Sequence, residues 1–259
     1  KLVLSKLLPL KDYGYFSLAV LVASGVMVLG VPIGGALLPR LSRLHAENND
    51  DGLLVLYRKS TQMVGMIAIP AALVLAFFAQ PVVLAWTGNL EIAHKAAPTL
   101  CLYALGNGFV SLGAFPYYLQ FAKGDLKLHV IGNAMYFLVL IPVLVWAVMH
   151  FGATGAGWTW LTLNAVSFLF WVPIIHRRMA TGLHAKWMVR DIAPIFFSTL
   201  VAASLAWRFI TWPNGRLPFI ISIGGLSMGL VLIAAAFSSW GRDMIRRQWL
   251  QCFPGKEVA

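Results

Sequence analysis

Amides and aromatics, not charges, are the side chains of this chain that could do chemistry in apolar surroundings. Asn107, Asn133 and Asn164 stand inside long apolar stretches, and Gln120 stands near the end of one. Tyr117 and Tyr118 come just before Ala122-Lys123-Gly124-Asp125, and Trp158 and Trp160 follow the small-residue run 152–157. An amide both donates and accepts hydrogen bonds, and an aromatic ring offers a flat apolar face with a polar handle. Together they suit contact with sugar hydroxyls. The plainer use of such amides, and of Gln62, Thr159 and Thr162, is hydrogen bonding between neighbouring helices. Trp and Tyr are also ordinary residues of a membrane interface. Arg40 and Arg43 offer a different chemistry. Basic groups near a bilayer surface attract anionic lipid by about 1 kcal/mol each, so the pair could meet a phosphate head group. Its plainer role is part of a solvated, charged elbow over residues 40–60.

Other chemistries find no support. All nine acidic residues fall outside the apolar stretches, so no carboxylate is expected in a membrane core, where an ion-coupled site often keeps one. His45, His94, His129, His150, His176 and His184 are scattered without ligand spacing. Cys101 and Cys252 are isolated, which argues against both a disulfide framework and a zinc site. No glycine-rich phosphate loop or Walker pattern occurs. No catalytic residue, cofactor or metal is expected, and the chain is read as not an enzyme.

The elements that must position these side chains are membrane helices. The chain of 259 residues is 59% hydrophobic and 11% charged, against about 25% charged in a soluble domain. Seven apolar spans can be drawn: 15–39, 61–86, 96–122, 127–149, 153–175, 192–211 and 217–238. Residues 1–10 read as the end of an eighth, cut partway, because the chain opens apolar and without Met. The sequence is therefore read as the C-terminal part of a longer protein. No period-2 alternation runs through the spans, which speaks against a β-barrel. A lipid core that cannot hydrogen-bond the backbone leaves helices. The expected fold class is thus an all-α polytopic bundle.

The net charge of +11 does not point to nucleic acid, because the basic residues lie in short patches between spans. Connectors 40–60, 121–128 and 176–191 and the tail after 238 carry 14 of the 20 Lys and Arg residues. The positive-inside tendency places these segments and the C-terminus in the cytoplasm. Arg208, beside Trp207 and Trp212, reads as snorkelling to an aromatic belt. Pro32, Pro70, Pro116, Pro142, Pro173 and Pro194 predict bent helices, with the first bend at Gly30–Pro32.

In order along the chain stand LSKLLPLKDYGYFSLA, LLPRLSRLHAENNDDGLLVLYRKS, FAQPVVLAWTG, AAPTLCLYALGNGF, PYYLQFAKGDLKLHVIGN and GATGAGWTWLTLN followed by HRR. Over about residues 1–180 this order resembles the polysaccharide biosynthesis proteins, or O-antigen-type flippases, of the multidrug/oligosaccharidyl-lipid/polysaccharide exporter superfamily. The resemblance implies that 1–176 is the second lobe of a two-lobe exporter with its first helix truncated. It implies further that 177–191 is a cytoplasmic basic connector, that 192–238 holds two additional helices, and that 239–259 is a cytoplasmic tail.

The implied function is alternating-access transfer of polyprenyl-diphosphate-linked oligosaccharide across a bacterial inner membrane. Implied partners are the lipid bilayer, that lipid-linked cargo and other membrane proteins of polysaccharide assembly. The substrate-contact candidates are Arg40, Arg43, Asn107, Tyr117, Tyr118, Gln120, Asn133, Trp158 and Asn164. In the branch that handles the peptidoglycan precursor, the helix matching 15–39 carries a membrane-embedded arginine. Here Ala19 or Val20 falls at that place, which favours an oligosaccharide cargo. Alternatives are a drug exporter of the same superfamily and a membrane polymerase or ligase. The enzyme reading needs a large extracytoplasmic loop, and the connectors on that side are short.

Overall fold

A computed structural model describes residues 2–28, 30–210 and 215–244. Lys1, Trp212, Arg246, Arg247, Cys252, Lys256 and Glu257 lie outside the described residues, as does the tail beyond Met244. Among the described residues every regular element is helical. The elements are α1 (Leu2–Leu7), α2 (Leu10–Ser24), a 3-10 turn (Gly25–Met27), α3 (Gly30–Ala46), α4 (Asp50–Phe77), α5 (Ala79–Thr87) and α6 (Leu90–Ala122). They continue with α7 (Lys127–Val166), a π-turn (Ser167–Trp171), α8 (Val172–Met179), α9 (Leu183–Lys186), a second π-turn (Trp187–Ile192), α10 (Ala193–Phe209) and α11 (Arg216–Phe237). Six helical stretches are long and apolar enough to cross a membrane: Leu10–Ala46, Asp50–Phe77, Leu90–Ala122, Lys127–Met179, Leu183–Phe209 and Arg216–Phe237. The chain is a multi-pass, all-helical membrane protein.

Lys127–Met179 is a single helical stretch by hydrogen bonding alone. Gly152 breaks it with φ 59° and ψ −144°, a backbone shape open essentially to glycine. The chain doubles back there, and the arms 127–151 and 153–179 run side by side. Asn164 Nδ2 on one arm donates to the Tyr136 hydroxyl on the other at 3.1 Å. A Cβ on Gly132 would overlap the Trp171 indole. This hairpin is where the sequence places the two spans 127–149 and 153–175.

Other boundaries shift. The break in the first span sits at Gly25–Met27, ahead of Pro32, which falls in the first turn of α3. A proline there loses no helical hydrogen bond, because the first N–H groups of a helix have no partner anyway. The expected elbow over 40–60 is nearly all helix. Its α3 side runs to Ala46 with Arg43 and Glu47 paired at 2.8 Å, and α4 starts at Asp50. Asn49 caps α4 by accepting from the Gly52 N–H at 2.8 Å, with Asp50 and Asp51 in the first turn. A good cap and acidic residues at the positive helix end extend the helix beyond its apolar part. Connector 176–191 is likewise helical apart from a turn at 180–182, where Gly182 has φ 80°.

The core is centred on α6, which packs against α2, α3, α4, α5 and α7. Its buried face is rich in small residues, among them Ala93, Ala96, Ala104, Gly106 and Gly108. Small side chains let helix backbones approach closely where lipid supplies no hydrophobic drive. Helices α10 and α11 pack on each other and on α4. The first arm of α7 instead turns Phe137, Leu138, Val139 and Trp146 outward.

Candidate functional site

A cavity of about 370 Å³ lies between α6 and the two arms of the α7 hairpin. Helix α6 supplies Gly113, Ala114, Tyr117 and Gln120. The first arm supplies His129, Gly132, Asn133 and Tyr136, and the second supplies Trp160, Asn164, Ser167 and Trp171. Its lining contains no Lys, Arg, Asp or Glu. The residues meet because α6 residues at spacings of three and four share one helix face, and Gly152 folds both arms against that face.

Hydrogen bonds hold the polar walls. Asn133 Nδ2 lies 3.0 Å from His129 Nε2. The His129 ring lies 4.5 Å from that of Tyr117. Asn164 Nδ2 donates to the Tyr136 hydroxyl at 3.1 Å and to the Trp160 carbonyl at 2.7 Å. Gln120 is fully buried, and its Nε2 donates to the Pro116 carbonyl at 3.2 Å. Its Oε1 meets no donor among the described residues.

The nine expected contact residues divide. Tyr117, Gln120, Asn133 and Asn164 come together in the cavity wall. Asn107 stands behind it. Its Nδ2 donates to the Ala23 carbonyl at 2.9 Å, and its Oδ1 accepts from Trp160 Nε1 at 3.0 Å. Asn107 thereby joins α2 to the hairpin and orients one aromatic wall, with Tyr103 stacked on the same Trp160 ring. Tyr118 leaves the cavity and packs on α3 at Gly34, where a Cβ would overlap its hydroxyl. Trp158 faces outward. Arg40 is exposed, and Arg43 is exposed and paired with Glu47. Of Ala19 and Val20, where the resemblance leads one to look for the branch's arginine, Ala19 is fully buried and Val20 half-buried.

A second polar cluster, near the α8–α9 turn, escaped the sequence reading. Asp191, expected in the basic connector outside the spans, is 1% exposed. Its Oδ2 accepts from Arg58 Nε at 2.6 Å. Its Oδ1 accepts from Arg58 Nη2 at 2.9 Å and from Gln62 Nε2 at 2.6 Å. Gln62 Oε1 in turn accepts from the Ser238 hydroxyl at 2.6 Å and the Trp240 backbone N–H at 2.9 Å. One turn away the Tyr57 hydroxyl lies 2.7 Å from His176 Nε2, and His176 Nδ1 lies 3.0 Å from His184 Nδ1. Trp187 Nε1 donates to the Thr61 hydroxyl at 3.1 Å. The signal available in sequence was the pair of i, i+4 spacings Tyr57/Thr61 and Arg58/Gln62 on adjacent stripes of one helix. Nothing local to Asp191 marks it as their partner.

The turn that follows α6 is fastened by charge. Arg178 Nη2 pairs with Asp125 at 2.9 Å, and Lys123 Nζ donates to the Met179 carbonyl at 2.9 Å. The Lys127 backbone N–H, and after it the Arg178 guanidinium, hold the Asp125 carboxyl below the usual range.

Comparison with known proteins gives one family. The model of the family described as "Lipid II flippase MurJ" matches residues 14–223, more than three quarters of the chain. No curated protein matches. No solved structure matches.

Proposed function

The chain belongs to the lipid II flippase MurJ family, and on that premise we propose that it moves a polyprenyl-diphosphate-linked saccharide between the leaflets of a bacterial inner membrane. The family is one of membrane flippases, so the chain is a transporter and not an enzyme. The observation that carries the saccharide reading is the cavity beside α6. Its walls combine the aromatic rings of Tyr117, Trp160 and Trp171 with the amides of Asn133 and Asn164, and its lining contains no carboxylate or ammonium group. A drug exporter for cations would want an acidic wall.

The organisation that goes with this reading has residues 1–176 as one lobe of a two-lobe exporter. Connector 177–191 and the tail 239–259 are cytoplasmic, and 192–238 is an added helix pair. Cargo crosses as the lobes alternate access, with its prenyl chain left in lipid. Arg40, exposed at the cytoplasmic end of α3, meets the phosphates, and Arg43 shares its charge with Glu47.

Two cargoes fit the class. The family's name favours lipid II itself. The lack of a basic residue at Ala19 and Val20, with a cavity lined by no Lys, Arg, Asp or Glu, favours an oligosaccharide repeat unit. Depleting the protein in cells and measuring both lipid-linked pools by leaflet separates them. We expect one pool to accumulate on the cytoplasmic side, and Arg40→Ala with Arg43→Ala to reproduce part of that accumulation at equal expression. Unchanged distribution of both pools would sink the function. Unchanged distribution with the double variant would remove the two arginines from it.

A further inference from the structure

Two imidazoles meet nitrogen to nitrogen where α4, α8 and α9 join. His176 Nδ1 lies 3.0 Å from His184 Nδ1, and His176 Nε2 lies 2.7 Å from the Tyr57 hydroxyl. Tyr57, His176 and the Trp187 ring beside them are fully buried, whereas His184 is half-buried. Counting hydrogens fixes where the protons sit. Two Nδ1 atoms at this distance share one hydrogen: two would collide, and none would set lone pair against lone pair. A neutral pair holds one more hydrogen, on one of its two Nε2 atoms. The Tyr57 hydroxyl has a single partner among the described residues, His176 Nε2. A buried hydroxyl needs an acceptor, so that nitrogen stays bare and the second hydrogen sits on His184 Nε2. A third hydrogen has only His176 Nε2 left to take it. There it makes the Tyr57 oxygen an acceptor, strands the hydroxyl's own hydrogen and puts a charge in a dry pocket.

We propose that Tyr57, His176 and His184 form an acid-sensitive latch, which holds the α8–α9 turn against α4 while the pair is neutral and releases it when the pair takes up a proton. That turn links the α7 hairpin to α10 and α11, so release loosens the join between them, whatever the cargo. The other charged groups on the surrounding elements do not titrate near neutrality. Arg58 on α4 and Asp191 on the second π-turn hold each other. Lys123 after α6 donates to the Met179 carbonyl and lies 3.5 Å from Asp50, and Arg178 on α8 pairs with Asp125. Arg177, Lys186 and Arg190 are exposed. A pH step between about 5 and 8 at this junction therefore belongs to the histidine pair. Once released, an ordinary imidazole takes a proton near about pH 6.5. The closed pair takes none without breaking its hydrogen bonds. The latch is thus held above that pH and weakens as pH falls through it.

The test follows hydrogen exchange of the intact protein in phospholipid nanodiscs. Rates are read as protection factors, which remove the intrinsic pH dependence of exchange. The amides of Ala180 and Leu183 are hydrogen-bonded in the closed turn. Uptake of one proton lowers their protection about tenfold between pH 7.5 and pH 5.5. His184→Asn keeps an acceptor near the place of Nδ1 and cannot titrate, so the drop is expected to vanish. A second measurement needs no variant. In histidine-labelled wild-type protein at pH 7.5, nitrogen NMR is expected to show a coupling across the hydrogen bond between two Nδ1 atoms.

Equal protection of the wild type at both pH values overturns the proposal. So does an undiminished drop in folded His184→Asn, or the absence of the Nδ1–Nδ1 coupling.

Discussion

Asp191 and Arg58 carry opposite charges into a nearly dry region, and each depends on the other. The Asp191 carboxylate has no exposed surface and takes three hydrogen bonds, two from Arg58 and one from Gln62. Removing one member of such a pair leaves the other charge uncompensated, which costs about 3–5 kcal/mol in buried sites. Arg58 keeps 29% of its side-chain surface exposed and can turn its head toward water. Asp191→Ala should therefore destabilise by about 3 kcal/mol, the lower end of that range. Asp191→Asn keeps an acceptor and should fall between variant and wild type. Thermal unfolding of the purified protein measures both. A wild-type midpoint for Asp191→Ala would mean that the pair is not held as described. Hydrogen exchange at Trp240 should rise in the same variant, because its N–H is bonded to Gln62, whose other end loses its anchor.

The α7 hairpin is the element that makes the candidate site, and a single backbone shape makes the hairpin. Gly152 at φ 59° and ψ −144° occupies a region that a Cβ makes costly by about 1–3 kcal/mol. Gly152→Ala should lower the unfolding midpoint. Gly113→Ala, on the neighbouring helix α6, should leave the midpoint unchanged or raise it, since its Cβ meets open space and alanine favours helix. The contrast tells a special backbone position from a glycine that merely lines a cavity. If the two substitutions behave alike, the turn at Gly152 does not need glycine. The same hairpin explains why Tyr117, Asn133 and Asn164 share a wall while Trp158 does not. On the second arm, Trp160 and Asn164 are four apart and face α6, whereas Trp158 lies on the outward side.

Across the molecule, the turns between helices alternate between two ends of the bundle. The short turns at 47–49, 123–126 and 180–182 belong to one end and those at 88–89 and 152 to the other, if every long stretch crosses. The basic residues Arg40, Arg43, Lys123, Lys127, Arg177 and Arg178 cluster at the first end. The positive-inside tendency predicts the cytoplasm for that end. Single cysteines placed at Asn48 and Gly124 should react with an impermeant maleimide only after the cells are opened. One at Asn89 should react in intact cells. The reverse pattern would invert the orientation, and labelling of all three from outside would break the alternation.

The sequence by itself determined that this is a helical membrane protein and roughly where its apolar stretches run. Hydrophobic length and the need to satisfy every backbone group in lipid act locally along the chain. It also marked Tyr117, Gln120, Asn133 and Asn164, because an amide or tyrosine within an apolar run stands out against its neighbours. What it left open depended on contacts between residues far apart in the chain. Helical extension through Arg40–Ala46 and from Asp50 rests on a cap and an i, i+4 ion pair, which composition alone reads as a polar elbow. The roles of Asn107, as a tie between Ala23 and Trp160, and of Tyr118, packed on Gly34, were set by which helix lies opposite. Asp191 reads as a residue of a basic connector until α4 brings Arg58 and Gln62 to it across more than a hundred residues. Burial and charge pairing belong to the packed bundle, and so the tertiary structure alone decided which polar groups line the cavity and which lock the helices together.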